Sequence, residues 1–292
     1  MVICFKCGSN MVLKNDNLVC TKCNFEACKT DGIFFFNPEI QSDYKDYESK
    51  GLDGLYQYER IHFWFKNRAL LIRNLFNKYV DKNSLIMDLG AGTGFMAKML
   101  ADCGYSVAAG EIHRNGLEYA KKLGITDLYQ FDLFNPPFSE HFDVISIFDV
   151  IEHFDEDIRA LEIIHSMLKP NGMVVCTVPA HQWLWGGSDA MASHKRRYSK
   201  KKLTKSFEKA GFEILYISGF YLTLIPMFFL RKLIYPDKSQ TVPDDEIPEY
   251  DISINPVINK ILEFITYLEI SIIKKISFPC GASFALIALK RN

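Results

Sequence analysis

Cys4, Cys7, Cys20 and Cys23 form two Cys-x-x-Cys pairs, "CFKC" and "CTKC", separated by twelve residues. Each pair suits a hairpin knuckle that turns two thiolates toward one point, and two knuckles supply four sulfur ligands at tetrahedral geometry for Zn²⁺. Four protein ligands leave no open position, so the expected zinc is structural. A second stretch, "LIMDLGAGTGFMAKML" from Leu85 to Leu100, points to different chemistry. An apolar run ends in Asp88, then Gly90, Gly92 and Gly94 alternate with Ala91 and Thr93, and a helical pattern begins. Residues without Cβ let a ligand and the following helix approach the backbone closely.

The ligand is narrowed by two further acids. Glu111, in "VAAGEIH" before Ile112, ends the next apolar run, where a ribose diol can donate two hydrogen bonds to one carboxylate. Asp132, in "YQFDLF", is flanked by Phe131 and Leu133. A carboxylate between apolar side chains suits adenine, which needs a flat apolar slot and a partner for its exocyclic amine. Dinucleotide enzymes use a related turn with the spacing GxGxxG. Here the spacing is GxGxG.

These residues need strand ends and helix starts to hold them. From Ser84 onward, short apolar runs alternate with helical patterns: "SLIMDL", "YSVAAGE", "DLYQFDL", "FDVISIFDV" and "MVVCTVP" read as strands, with helices over 95–103, 115–123 and 155–168. The last of these helices is expected to stop at "KPNG". Such alternation predicts an α/β fold with a parallel sheet covered on both faces. Ser199 is the expected N-cap of a helix over 200–210 and Gly211 its stop. "FEILYISGFY" and "GASFALIALK" read as further strands, and 222–235 and 254–276 as apolar helices separated by the acidic "PDKSQTVPDDEIPEY".

The chain has 292 residues with a formal net charge of −1, so no global field draws it to nucleic acid or an acidic membrane. The N-terminus lacks the basic-then-apolar layout of a secretory signal. The remaining cysteines, Cys28, Cys103, Cys176 and Cys280, are scattered, which fits a reducing cytoplasm and no disulfide framework. The uncharged run from Ile214 to Leu230 is interrupted by Gly219 and Pro226 and is not read as a membrane span.

Residues 84–220 resemble a class I S-adenosylmethionine-dependent methyltransferase, of the subgroup similar to the ubiquinone and menaquinone biosynthesis methyltransferases. "DLGAGTG" matches the family's first motif, Glu111 its second-strand acid, "FDVISIFDVIEHFDE" its fourth-strand motif, and "LKPNGMVVCTVP" the turn and strand that follow. The resemblance implies a Rossmann-like, seven-stranded sheet whose last two strands form a hairpin. It implies that Asp88 and the Gly90–Gly94 loop hold the amino-acid end of the cofactor and Glu111 its ribose. Asp132 would then reach the adenine amine, and Asp149 would face the sulfonium. The N-terminal segment resembles zinc ribbons placed before methyltransferase domains, including that of a ribosomal RNA guanine methyltransferase family. The resulting division is a ribbon over 1–37, a linker and lead-in helices over 38–83 and the core over 84–220. An apolar helical lid over 221–279 and the last strand over 280–292 complete it.

Three acceptor readings follow. In the first, a hydroxyl on a small molecule or lipid-linked glycan is methylated, and a base is required because a hydroxyl's own pKa is far above neutral. His153, His181 and His194 are the candidates. The connection over 180–198, with Trp183, Trp185, Arg196, Arg197 and Tyr198, would form one substrate pocket with the apolar helices. The setting would be cytoplasmic, with contact to the inner membrane face for a lipid-linked acceptor. In the second, "HKRRYSKKKLTK" contacts RNA, with the ribbon as reader; near-zero net charge argues against this. "NPPF", at 135–138, is similar to a base-amine methyltransferase motif but precedes the fourth strand instead of following it. In the third, the protein binds the cofactor without turnover, as a regulator.

Overall fold

Apolar runs such as "FDVISIF" become central strands because helices cover both sheet faces, whereas the amphipathic runs between them become those helices. The computed structural model describes residues 1–40, 50–234 and 254–291. The N-terminal segment carries β1 (Met11–Lys14), β2 (Asn17–Cys20), β3 (Glu26–Thr30) and β4 (Ile33–Phe35). Helices α1 (Lys50–Tyr58) and α2 (Phe63–Tyr79) lead into the core. There β5 (Leu85–Leu89), α3 (Phe95–Asp102), β6 (Ser106–Glu111), α4 (Arg114–Lys122) and β7 (Asp127–Gln130) alternate. Next come β8 (Phe142–Phe148), a 3₁₀ turn (Ile151–His153), α5 (Asp157–Met167) and β9 (Leu168–Pro179). The chain continues through α6 (Gly187–Met191), α7 (Lys200–Lys209), β10 (Phe212–Phe220), α8 (Ile225–Ile234), α9 (Pro256–Ile273) and β11 (Ser283–Lys290).

The core strands run in the order β7-β6-β5-β8-β9-β11-β10. Pairings among β5 to β9 are parallel, and β11 pairs antiparallel with both β9 and β10. The order reverses between β5 and β8, and open α/β sheets bind ligands at such a switch point.

The sheet has eleven strands where seven were expected. The four ribbon strands continue it, because β4 pairs in parallel with β7, matching Ile33 to Leu128 and Phe35 to Gln130. The aromatic "IFFF" therefore covers the edge that β7 would otherwise present, and an exposed sheet edge is an aggregation risk. One local expectation shifts and another is met. "KPNG" is the start of β9, with Asn171 at φ +62° and a register shift near Asp143. Ser199 does cap α7, accepting a hydrogen bond from the Lys202 amide, and Gly211 follows at φ +90°.

Both apolar helices fall between β10 and β11. One face of α9 docks on α2: the Asn67 amide donates to Thr266 Oγ1 (2.6 Å) and to the Glu263 carbonyl (2.8 Å). Glu269 accepts from the Leu222 and Thr223 amides at 2.9 and 3.0 Å. The acidic stretch over 236–250 lies outside the described residues. Among the described residues no helix is long and apolar enough to cross a membrane.

Candidate active site

A cavity of about 1150 Å³ opens at the carboxyl edge of β5, β6 and β8. Gly90, Gly92 and Gly94 all have positive φ (+67°, +54° and +79°), so the loop turns back on itself as L residues rarely do. A Cβ on Gly90 would stand 2.7 Å from Val150 Cγ2, and one on Gly94 2.4 Å from Ala120 Cβ. These glycines close the turn against the next elements while Ala91 and Gly92 face the cavity.

Two carboxylates organise this end. Glu111, nearly buried, accepts from the amides of Gly92 (2.9 Å), Ile112 (2.8 Å) and His113 (3.1 Å), so β6's last residue ties the glycine loop to its own turn. Asp88 is buried at the end of β5, where Ser146 Oγ donates to one oxygen at 2.7 Å. Its other oxygen has no hydrogen-bond partner among the described residues. Burial pushes the Asp88 carboxyl up to about 7, outweighing the Ser146 hydrogen bond and the nearby Arg68 charge. A buried acceptor left open at the cavity wall fits a cationic amine donor. Asp132, flanked by Phe131 and Leu133 along the wall, accepts from the Phe134 amide (2.9 Å) and the Asn135 side chain (2.9 Å).

The opposite end is formed by residues after β8 and β9. Asp149, at φ +57°, is salt-bridged to Arg68 and accepts from Thr177 Oγ1 at 3.1 Å. His153 and His194 both line the cavity, their rings 4.9 Å apart and nearly perpendicular. Asp189 holds His194 Nδ1 at 2.9 Å and Arg197 Nε at 2.8 Å. Arg197 also lines the cavity, and Met227, Phe228, Ile258 and Leu262 of α8 and α9 complete its apolar rim.

Other residues read as substrate-facing lie elsewhere. His181 is not part of the cavity lining; its Nε2 is 3.3 Å from Cys280 Sγ and its ring packs on Phe284. Burial, and secondarily the Arg197 charge, lowers its pKa. Trp183 and Trp185 also stand outside the lining. Tyr198 is fully buried and donates to Asp157 Oδ2 at 2.9 Å, while Arg196 pairs with the same carboxylate at 3.2 Å. A ring buried in the core with its hydroxyl satisfied cannot stack on an acceptor, so Tyr198 is a structural contact of α5.

Several cavity residues carry no motif. Glu59, in the stretch read as a polar linker, accepts from Thr93 Oγ1, and burial raises its pKa. Arg68 sits on α2 among apolar positions, and Leu52 of α1 packs below Gly92. Their only sequence signal is helical spacing that places a charge on the buried side.

In the ribbon, Cys4 Sγ lies 3.6 Å from Cys23 Sγ, and Cys7 Sγ lies 3.4 Å from Cys20 and 3.6 Å from Cys23. Thiolates about 2.3 Å from one tetrahedral Zn²⁺ are spaced roughly this way. The Ser9 amide and hydroxyl lower the Cys7 thiol to about 6, which favours the ligand form.

Strand order, glycine loop and acidic strand ends together define the class I methyltransferase fold. A methyltransferase-domain family model matches residues 56–217, more than half the chain, and the protein belongs to that family. It is an S-adenosylmethionine-dependent methyltransferase. No curated protein sequence matches it. Among solved structures it is similar to Haemonchus contortus phosphoethanolamine N-methyltransferase 2 in complex with S-adenosylmethionine. That match has 18% identity and a TM-score of 0.55, covering 86% of this chain and 59% of that one. It is also similar to a complex of the Haloferax volcanii Trm112 methyltransferase activator with a candidate methyltransferase (17% identity, TM-score 0.53, covering 84% and 94%). A Bacillus halodurans candidate methyltransferase matches at 16% identity and TM-score 0.50, covering 76% and 99%. At these identities the likeness is one of fold.

Proposed function

We propose that this enzyme methylates a hydroxyl on a small molecule that carries an anionic group and an apolar tail, a lipid-linked glycan being one such acceptor. One observation carries the reading: the cavity runs unbroken from the glycine loop past His153, His194 and Arg197 to the apolar rim of α8 and α9. Ligand cavities typically span roughly 300–1,000 Å³. This one, at about 1150 Å³, has room for cofactor and acceptor together.

S-adenosylmethionine supplies an electrophilic methyl group when bound. Asp88 and the glycine loop would hold its amino-acid end, Glu111 its ribose and Asp132 its adenine edge. The chain's own work is alignment and exclusion of water. His153 and His194 would take the proton of an acceptor hydroxyl, and Arg197, whose Nε donates to Asp189 and Nη1 to the Ala180 carbonyl, would turn its Nη2 donors to an anionic group. The four ribbon cysteines would hold a structural zinc.

Solvent-exposed Ile261, Phe264 and Leu268 of α9, with Phe229 and Leu230 of α8, make more apolar surface than two ordinary surface helices carry. That supports a lid that touches an apolar acceptor or the inner membrane face. The RNA reading weakens because Arg196 is committed to Asp157 and the formal net charge is −1.

The test compares Arg197→Ala, His153→Ala and His194→Ala with His181→Ala, assaying methyl transfer to lipid extracts while calorimetry follows cofactor affinity. Loss of transfer in the first three, with cofactor affinity intact and His181→Ala active, supports the pocket. Full transfer to structured RNA by the first three variants would replace this reading with the RNA one.

A further inference from the structure

We propose that Glu152, His153 and His194 form a binding site for a first-row divalent cation at the acceptor end of the cavity. Their ligand atoms all lie within 4.8 Å of one another, and His194 Nε2 is 3.8 Å from Glu152 Oε1. Ligands about 2.0–2.2 Å from a shared ion stand roughly 3–3.5 Å apart, so side-chain movement of about 1 Å closes the set.

Glu152 is the reason the cluster calls for a cation. It is fully buried on the 3₁₀ turn after β8, and neither carboxylate oxygen has a hydrogen-bond partner among the described residues. The surrounding cations are already committed: Arg68 to Asp149, Arg197 to Asp189, and Arg196 to Asp157. A buried carboxylate left this way either stays protonated or takes a cation.

His194 supplies the oriented ring: its Nδ1 is held by Asp189 at 2.9 Å, which turns Nε2 toward Glu152 Oε1. A carboxylate–histidine pair of this kind orients a metal ligand and raises its basicity. Two imidazoles and one carboxylate suit Zn²⁺, Fe²⁺ or Mn²⁺ and leave coordination positions free. His153 and His194 face the cavity, so the free positions open onto the acceptor.

The inference deepens the hydroxyl-acceptor reading and rests on it for its role. A cation-bound hydroxyl loses its proton far more readily than a free one. As ligands of the ion the two histidines would lower the pKa of the bound hydroxyl, whose proton would pass to solvent water, and the geometry of the bound oxygen would select acceptors with a second oxygen able to chelate.

The experiment uses the full chain with its N-terminal metal in place. Protein is titrated with Mn²⁺ and bound ion is read by electron paramagnetic resonance, because Mn²⁺ competes poorly for a four-thiolate site. In parallel, dialysis against Zn²⁺ counts total zinc. Wild type should bind one Mn²⁺, or one Zn²⁺ beyond the ribbon's. Glu152→Gln and His194→Ala should each weaken that binding at least about tenfold, with cofactor affinity and melting unchanged. His194→Ala keeps the test decisive should Glu152→Gln fold poorly. Wild type that takes up neither ion beyond the ribbon's, or unchanged binding in His194→Ala, overturns the site. Bound Mn²⁺ lost in the variants, without methyl transfer to any hydroxyl compound, supports the site while overturning the acceptor reading.

Discussion

Arg68 of α2 is salt-bridged to Asp149, the residue that follows β8, so a helix outside the nucleotide fold closes the floor of the active-site cavity. Arg68 is almost wholly buried, whereas a quarter of the Asp149 side chain remains exposed. Removing one partner of a buried pair costs about 3–5 kcal/mol, and partial access of water to Asp149 reduces that. Arg68→Met should therefore lose roughly 1–3 kcal/mol in urea unfolding. Wild-type stability in that variant would show that α2 is not anchored through this pair.

The glycine loop separates steric need from conformational need. Gly94→Ala places a Cβ 2.4 Å from Ala120 Cβ at φ +79°, so overlap and backbone strain add. Gly92→Ala meets only Leu52 Cδ2 at 3.6 Å, leaving the strain of φ +54° alone. Expected losses are roughly 2–5 kcal/mol for Gly94→Ala and about 1–2 kcal/mol for Gly92→Ala. Paired denaturation curves test the ranking, and a reversed order would mean that α3 and α4 do not pack through Gly94.

Asp88 makes stability and cofactor binding oppose each other in pH. Its folded pKa of about 7 lies above the unfolded value of 3.8, so the folded state holds the proton more tightly. Its contribution is full below about 4 and falls as pH rises toward about 7, by up to about 4 kcal/mol. A cationic cofactor amine prefers the ionised form, so affinity should rise over the same window. Asp88→Asn should flatten this stability slope and bind the cofactor weakly at every pH. Calorimetry and melts at pH 5, 6, 7 and 8 would decide; affinity flat with pH in wild type would remove Asp88 from the cofactor site.

Legibility in the sequence followed local against non-local causes. Glycine spacing, apolar runs and acids at strand ends arise from one turn or one strand, and Gly90, Glu111 and Asp132 all stand on the cavity wall as their positions suggested. Arg68, Glu59 and Glu152 were invisible as site residues because only tertiary packing buries them; a charge on an amphipathic helix ordinarily faces water. Tyr198 illustrates the opposite failure. Its basic neighbourhood looked like a ligand surface, yet Asp157, forty-one positions earlier, draws its hydroxyl into the core. The seven-strand expectation fell short for the same reason: β4 joins β7 across ninety-odd residues, a pairing that "IFFF" alone does not specify.

The β4–β7 pairing also ties the N-terminal segment to loops that line the cavity. The Asn37 amide donates to Gln130 Oε1 at 3.1 Å, and Asn37 Oδ1 accepts from the Asp132 amide at 3.3 Å. Gln130 Nε2 in turn donates to the Ile112 carbonyl at 3.2 Å, and both Ile112 and Asp132 line the cavity. The first bond uses the Asn37 backbone N–H and survives substitution; losing the one at Oδ1, which contributes about 0.5–1.5 kcal/mol, should weaken cofactor binding by roughly two- to tenfold. Asn37→Ala should show that loss, and chelation of the zinc proposed for the four N-terminal cysteines should approach it as β3 and β4 loosen. Leu13→Ser, at an exposed position of β1, is the control and should leave affinity unchanged. Calorimetric affinity equal to wild type in both Asn37→Ala and chelated protein would show that the ribbon covers the sheet edge without supporting the cofactor loops.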